Sequence, residues 1–283
     1  MKFIKKFLAL SLAAAMTAAV SGCAGETGGQ DAETLIKTAA DTMASVTSMS
    51  SEMVMDFTMS LDEETMDMST KAVMDTIYGD SIKMRMDISA ESAGEEIQAY
   101  SMYAVQNGDI MDAYMDIGDG TWYQQSLTVG DLAQYDAQAN AEMYLTNMTS
   151  LKIDGTEEIN GYNTSIVSGA LTGDSMREAM ASSGIESLTD SMGLTDEDIE
   201  AVLGSITDLP VRLWISEEGY IVKYELDMTA TMQNMMINIL TAATGMSEEE
   251  IPLNVSKTVM SMTCGNFNEV EDFELPAEVT GTV

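Results

Sequence analysis

The side chain with the most definite chemistry in this sequence is the thiol of Cys23. It directly follows Val20-Ser21-Gly22, and an uncharged apolar stretch at residues 7–20 lies behind a short basic segment. A basic start, a short apolar stretch and small residues before a cleavage point are typical of a secretory signal peptide. The apolar stretch is too short for a permanent transmembrane helix. We therefore predict an exported protein with a signal peptide over residues 1–22.

The sequence Val20-Ser21-Gly22-Cys23 resembles the bacterial lipobox. The resemblance implies that Cys23 receives a diacylglycerol group and becomes the new N-terminus, with acyl chains such as palmitate as the membrane anchor. Several buried acyl chains give a stable anchor. Residues 23–30 are small, polar and glycine-rich, which is typical of a flexible tether. We predict attachment to the extracytoplasmic face of the cell membrane; the alternative is an ordinary cleaved signal with an incidental cysteine.

Methionine is the second chemically distinctive feature, with 27 residues in the chain. Three interpretations remain open: methionine fills the core, it lines a site for a lipid or other apolar ligand, or its thioethers bind Cu(I). The copper interpretation rests on Met66-Asp67-Met68 and Met84-Arg85-Met86, but strand packing alone requires that alternation, and no histidine joins them. We predict no metal and no cofactor. The candidate apolar-ligand lining comprises Met53, Met55, Phe57, Met59, Met66, Met68, Met74, Met84, Met86, Met232, Met235 and Met236.

The composition excludes several classes of function. The chain has no histidine, which removes Ser-His-Asp and Cys-His catalysis and the common histidine metal sites. Carboxylate runs such as Glu248-Glu249-Glu250 are more typical of a solvated face than of a glycosidase pair. The formal net charge of -35 disfavours nucleic acid as a partner. Once Cys23 is acylated, Cys264 has no disulfide partner, and we predict a small buried hydrophobe there. We predict that the protein is not an enzyme.

The pattern of apolar residues changes from helical to strand-like early in the chain. Apolar residues at helical spacing predict a helix over residues 32–46, and strict alternation over residues 49–61 predicts a strand with one apolar face. Asn107-Gly108 and Asn160-Gly161 predict hairpin turns with positive φ at both positions. Further strands are predicted near 66–78, 82–88, 97–106, 110–117, 151–158, 162–169, 211–216, 220–228, 253–262 and 267–275. Further helices are predicted near 132–143, 174–181, 196–204 and 232–243.

A run of adjacent strands with one polar face predicts an antiparallel sheet that is wet on one side and covered on the other. The predicted helices have apolar stripes but too few helical partners for a bundle, so we expect them on the apolar face of the sheet. The predicted fold class is α+β: an open, curved antiparallel β-sheet, or half-barrel, with helices covering the concave face. Residues 31–283 are predicted to form this single domain.

The order of these elements resembles the bacterial lipoproteins with a LolA-like half-barrel, including the LppX and LprG group. The local matches are Cys23, residues 114–123, Glu158-Ile159-Asn160-Gly161-Tyr162, Leu213-Trp214-Ile215, Tyr220-Ile221-Val222-Lys223-Tyr224 and Phe273-Glu274-Leu275-Pro276. The resemblance implies an acyl-chain cavity between sheet and helices. The expected function is a membrane-anchored, non-enzymatic binder or carrier of a lipid or other apolar molecule. The alternative is an envelope sensor or protein-interaction module with a filled core and an envelope protein as its partner.

The lipid anchor gives the first testable prediction. Replacing Cys23 with alanine removes the acyl acceptor, so we expect Cys23→Ala either to leave the membrane fraction or to accumulate as uncleaved precursor. Mass spectrometry of the mature N-terminus provides the check. An unmodified N-terminal residue other than Cys23 would contradict the prediction.

Overall fold

The computed structural model describes residues 31–62, 64–92, 94–118, 120–128, 132, 136–174 and 196–275. The signal peptide, the tether with Cys23, and nearly all of the helix predicted at 174–181 lie outside these residues. The described helices are α1 (Ala32–Met43), α2 (Ala137–Asn147), α3 (Asp196–Gly204) and α4 (Thr229–Thr244), with a 3-10 turn at Glu248–Glu250. The strands are β1 (Ser48–Leu61), β2 (Glu64–Ile77), β3 (Lys83–Ser92), β4 (Glu95–Asn107), β5 (Ile110–Asp116), β6 (Trp122–Thr128), β7 (Met148–Ile159), β8 (Tyr162–Leu171), β9 (Leu209–Ser216), β10 (Ile221–Asp227) and β11 (Leu253–Gly265).

These strands form one 11-stranded antiparallel sheet in the order β6-β5-β4-β3-β2-β1-β11-β10-β9-β8-β7. Two meanders, β1 to β6 and β7 to β11, therefore run outward from a shared centre where the first strand pairs with the last. The edge strands β6 and β7 lie at opposite ends of the order, so the sheet is open. The predicted fold class, an α+β half-barrel with an open antiparallel sheet, is confirmed.

Both predicted hairpin turns are present, but one differs in detail. Asn160 and Gly161 connect β7 to β8 with φ of 50° and 83°, which suits a turn with two left-handed positions. In the other hairpin Asn107 pairs with Ile110, so the central residues are Gly108 and Asp109. Only the first of these two has a positive φ, 66°, so glycine is needed at one position rather than two.

Helices α1 and α2 cover the apolar face of the sheet. Ile36, Ala39 and Met43 of α1 are buried, and the Gln138 side-chain amide of α2 donates to the carbonyl oxygen of Met43 at 2.6 Å. The ring of Tyr144, also in α2, meets Tyr224 of β10 edge-on at 5.0 Å between centroids. Methionine fills much of this core. Its fully buried members include Met49, Met74, Met84, Met111 and Met262.

The strand predicted at residues 267–275 is wrong, because β11 ends at Gly265 and the chain then turns. Asn266 and Asn268 have φ of 50° and 62°, a left-handed conformation that interrupts a strand and that asparagine tolerates. Between them Phe267 is buried and stacks on Tyr220, with 4.3 Å between ring centroids and 7° between planes. The apolar residues of this segment therefore anchor a terminal loop rather than one face of a strand.

No helix in the described part of the chain is both long enough and apolar enough to span a membrane.

Ala72 provides a test of how tightly the core is packed. It has no exposed surface and lies directly opposite Met53 and Ile88 on the neighbouring strands. We expect Ala72→Phe to lower the free energy of unfolding by about 1–3 kcal/mol or more, because an added ring overfills the core. Chemical denaturation measures this change.

The neighbouring residue supplies the matched control. Val73 is 46% exposed and lies on the other face, so Val73→Phe should change stability by less than about 0.5 kcal/mol. Unchanged stability in Ala72→Phe would instead indicate an empty cavity at this position.

Candidate functional site

The candidate ligand-lining residues of the first three strands share one face of the sheet. Met53, Met55, Phe57 and Met59 alternate along β1, and residues that lie directly opposite on antiparallel strands project from the same face. The cross-strand pairs are Met59 with Met66, Phe57 with Met68, Met74 with Met86, and Thr76 with Met84. We call this side of the sheet the methionine face.

Four of the twelve candidate residues lie in a filled core. Met53, Met74, Met84 and Met86 are each no more than 3% exposed and belong to the cluster that α1 and α2 cover. Met55, one residue pair further along β1, is half-buried and packs against the same cluster. This end of the methionine face is therefore occupied by the protein's own side chains.

The opposite end of the face lies under α4 and forms a separate cluster. Ile251, Leu253 and Val255 are its buried members. The half-buried residues that pack against them are Phe57, Met59, Met232, Met236, Ile237 and Leu240. Residues at positions i, i+4, i+5 and i+8 make one helical stripe, so α4 contacts the sheet through Met232, Met236, Ile237 and Leu240.

Hydrogen bonds hold α4 against β11. The Gln233 side chain bonds to the backbone of β11 as a neighbouring strand would. Its amide nitrogen donates to the carbonyl oxygen of Leu253 at 3.2 Å, and its amide oxygen accepts from the Val255 N–H at 2.5 Å. At the start of the helix, the Thr229 hydroxyl oxygen accepts from the Thr258 N–H at 2.9 Å. The backbone of Met228 donates to the Thr258 carbonyl oxygen at 2.8 Å. These contacts fix the distance between α4 and the sheet.

Three candidate residues remain outside both clusters of the described residues. Met66 is 39% exposed, while Met68 and Met235 are half-buried. Met235 is one of the candidate lining residues, but α4 packs on the sheet through the stripe that contains Ile237, which leaves Met235 on the flank of the helix. Some methionine side chains therefore remain partly accessible to solvent at the α4 end of the methionine face.

A polar atom is buried beside this apolar region. Thr258 is 3% exposed and lies directly opposite Phe57, so it projects from the methionine face. Its hydroxyl has no hydrogen-bond partner in the described part of the chain. Leaving a buried hydroxyl without a partner costs about 1–3 kcal/mol.

The opposite face of the same strands carries charge. The Lys257 ammonium donates to Asp56 at 2.8 Å and holds the pKa of that carboxyl below its ordinary value, although partial burial acts in the other direction. Among the described residues, no three histidine, cysteine, aspartate or glutamate side chains are grouped so as to hold a metal ion.

Cys264 lies on the methionine face opposite Ser51 and is buried. Burial raises the pKa of its thiol to about 12, because an apolar environment disfavours the thiolate. A thiol that keeps its proton at neutral pH is a poor nucleophile and a poor metal ligand. The arrangement of Cys264 is that of a core residue, in agreement with the sequence prediction.

The sequence missed the contribution of Ile251, Leu253 and Val255. They follow the acidic 3-10 turn. The sequence prediction includes Leu253 and Val255 in a strand and Ile251 in no element, and it gives none of the three a role in the candidate site. Their alternation, Leu253 and Val255 on one face and Asn254 on the other, is the signal that could have placed them with the methionines.

The fold and the methionine face define the class: an open antiparallel half-barrel whose apolar side is covered by helices. The chain belongs to the family of unknown function DUF6612, whose model matches residues 31–282. No curated protein matches the chain significantly.

Among solved structures, the chain is similar to the lipoprotein LppX from Mycobacterium tuberculosis, with 12% identity over 86% of this chain and 97% of that chain and a TM-score of 0.44. LprF from Mycobacterium bovis matches with 13% identity over 88% of this chain and 100% of that chain, with a TM-score of 0.46. A LolA-superfamily protein from Nitrosomonas europaea matches with 10% identity over 87% of this chain and 96% of that chain, with a TM-score of 0.25. These structures come from the groups that the sequence resembles.

Cys264 gives a prediction about reactivity and pH. In a Cys23→Ala background it is the sole thiol, and we expect no reaction with an aromatic disulfide reagent at pH 8 until denaturant is added. The folded protein retains the thiol proton to higher pH than the unfolded chain does. Its contribution to the free energy of unfolding is therefore constant below about pH 9 and is lost as the pH rises toward about 12.

The control is Cys264→Ala, which should lose the thiol's part of the fall in stability at alkaline pH. It should keep the part from Tyr144 and Tyr224, because burial also raises the pKa of both phenols. Rapid, stoichiometric labelling of the native protein would show that the thiol is not buried in solution.

Proposed function

We propose that this protein is a non-enzymatic, extracytoplasmic lipoprotein that binds or carries a lipid or another apolar molecule. It is anchored to the cell membrane through acylated Cys23, and residues 31–283 form its single binding domain. The observation that carries the proposal is the α4 end of the methionine face, where apolar side chains are left partly uncovered.

The proposed binding region is the β2 side of the cluster under α4. Met66 and Met68 lie opposite Met59 and Phe57 but belong to neither apolar cluster, and Met235 lies on the flank of α4. An acyl chain that entered between α4 and β2 would extend the apolar burial of the α4 cluster over these side chains. Methionine suits such a lining because its unbranched side chain adapts to ligands of irregular shape.

The Thr258 hydroxyl adds a polar group to this region. It is buried without a partner in the described residues, close to where α4 begins. A ligand ester carbonyl or hydroxyl that reached this position would supply the missing hydrogen bond. Apolar walls with a few placed polar groups are the usual composition of a small-molecule site.

A second candidate function is favoured by the filled part of the face. Because Met53, Met74, Met84 and Met86 are core residues, the methionine face at that end has no room for a ligand. If the α4 end closes in the same way in solution, the protein is instead an envelope sensor or protein-interaction module. Its partner would then be another envelope protein rather than a lipid.

Met66 and its neighbour Thr65 allow a matched test. Met66 projects from the methionine face and is 39% exposed, whereas Thr65 is exposed on the other face. We expect Met66→Glu to weaken binding of a fluorescent acyl-chain probe about tenfold, because a carboxylate must be desolvated against the chain. Thr65→Glu adds the same charge one residue away and should leave binding unchanged.

Folding is the internal check on this pair. Both variants change exposed positions, so both should unfold within about 0.5 kcal/mol of the unaltered protein. Native mass spectrometry of protein extracted from its own membrane should also detect a bound apolar molecule. If the unaltered protein binds no acyl probe and carries no such molecule, the filled-core alternative is the correct one.

A further inference from the structure

A straight row of paired residues crosses the outer face of the sheet, on the side opposite the methionine face. The row runs from β2 to β6, and each member lies directly opposite the next. Its members are Val73, Asp87, Ser101, Asp116 and Trp122. Paired residues project from the same face, so the row is continuous over four strand spacings, about 19 Å.

The short side chains of this row form the floor of a groove. Two adjoining depressions of about 280 Å³ and 170 Å³ share Val73, Asp87 and Ser101. Lys71 stands on one side and Arg85 on the other. The Val73 side chain is 46% exposed and places one apolar residue at the β2 end of the floor.

The two basic residues beside the groove already have carboxylate partners. Arg85 donates twice to Asp75, at 2.8 and 2.6 Å, and the Lys71 ammonium lies 2.8 Å from Glu52. Neither cation is therefore available to neutralise the carboxylates in the floor.

The two carboxylates of the floor accept neutral donors. Asp87 accepts from the Ser101 hydroxyl at 2.5 Å, and Asp116 accepts from the N–H groups of Gly118 and Gly120 at 2.9 and 3.0 Å. In the described part of the chain neither carboxylate forms an ion pair. The groove thus has two unneutralised negative charges, within a chain of formal charge -35 that concentrates cations around it.

Aromatic rings close one end of the groove. Trp122 lies against Tyr103 with 5.5 Å between ring centroids, and Phe273 meets Tyr103 edge-on with 6.4 Å between centroids. Both Trp122 and Tyr103 line the groove. Aromatic faces next to carboxylates attract ammonium groups, and the indole ring does so best.

We propose that this outer groove binds a linear alkylammonium ligand. Its two ammonium groups meet Asp87 and Asp116, which are two strand spacings or about 10 Å apart, and the methylenes between them cross Ser101, the row member that lies between these carboxylates. Two sources supply this chemistry: a free polyamine and the lysine side chains of a peptide segment. The groove lies on the opposite face from the proposed apolar site and does not depend on it.

Calorimetric titration of the membrane-extracted, full-length protein tests the proposal. The probes are 1,8-diaminooctane, the matched uncharged 1,8-octanediol, and a capped peptide with two lysines. We expect the diamine or the peptide to bind and the diol not to bind, with affinity falling as salt is added. Asp87→Asn and Asp116→Asn keep the shape and the acceptor oxygen, and each should weaken binding about fivefold, the scale of one partly exposed ion pair.

Asp109→Asn is the control, because it removes the same charge from an exposed hairpin turn outside the groove and should leave affinity unchanged. Stronger binding of the diamine would identify a free polyamine as the source, and stronger binding of the peptide a partner's lysines. Equal losses in all three variants would show general attraction to an acidic protein and would overturn the proposal. So would binding of the diol, or failure of both amines to bind.

Discussion

The pairing of β1 with β11 is the constraint on which the rest of the structure depends. Each meander is built from neighbours in sequence, and among the described strands it is the contact between the first and the last that joins the two meanders into one sheet. It extends from Ser50 opposite Gly265 to Leu61 opposite Leu253. Such a pairing closes a loop of nearly the whole domain, so the entropic cost of forming it is high. The side chains of β1 and β11 must therefore stabilise the pairing. Met53, buried between Ala72 and Met262, is one of the residues that do so.

This pairing also separates two chemistries. Because side chains alternate, one register brings methionines together on one face and charged residues together on the other. The few cations are placed where they relieve repulsion across strands, as Lys71 does beside Glu52 and Lys257 beside Asp56. These exposed pairs contribute little stability individually. Asp87 and Asp116 form no ion pair within the described residues, so their negative charges stay unneutralised there.

Much of the local structure could be predicted from the sequence, because alternation and turn residues are local signals. The strand character of β1 to β3 follows from alternation, and the hairpin between β7 and β8 follows from Asn160-Gly161. Ile159 is the last residue of β7 and Tyr162 the first of β8, so Asn160 and Gly161 are the two turn residues. Alternation does not specify which strands lie side by side. The sequence of β1 does not predict that β11 is its second neighbour.

The candidate site was less predictable than the fold, for a related reason. Alternation correctly puts Phe57 and Met59 on the same face as Met66 and Met68, but it cannot say what covers them. That depends on how α4 is rotated, and its stripe is ambiguous because apolar residues surround much of the helix. Gln233 resolves the ambiguity by bonding to the backbone of β11, a long-range contact that no local pattern predicts.

The methionine face is therefore one chemical surface with two different environments. The strands supply the same kind of side chain along its whole length, yet Met86 is fully covered and Met66 is not. The difference arises from the helices: α1 and α2 fill one end, while α4 stands over the other through a narrow stripe. A side chain as adaptable as methionine packs well in either environment. The strand sequence can therefore remain uniform while the covering helices determine where the protein has a closed core and where apolar side chains stay partly exposed.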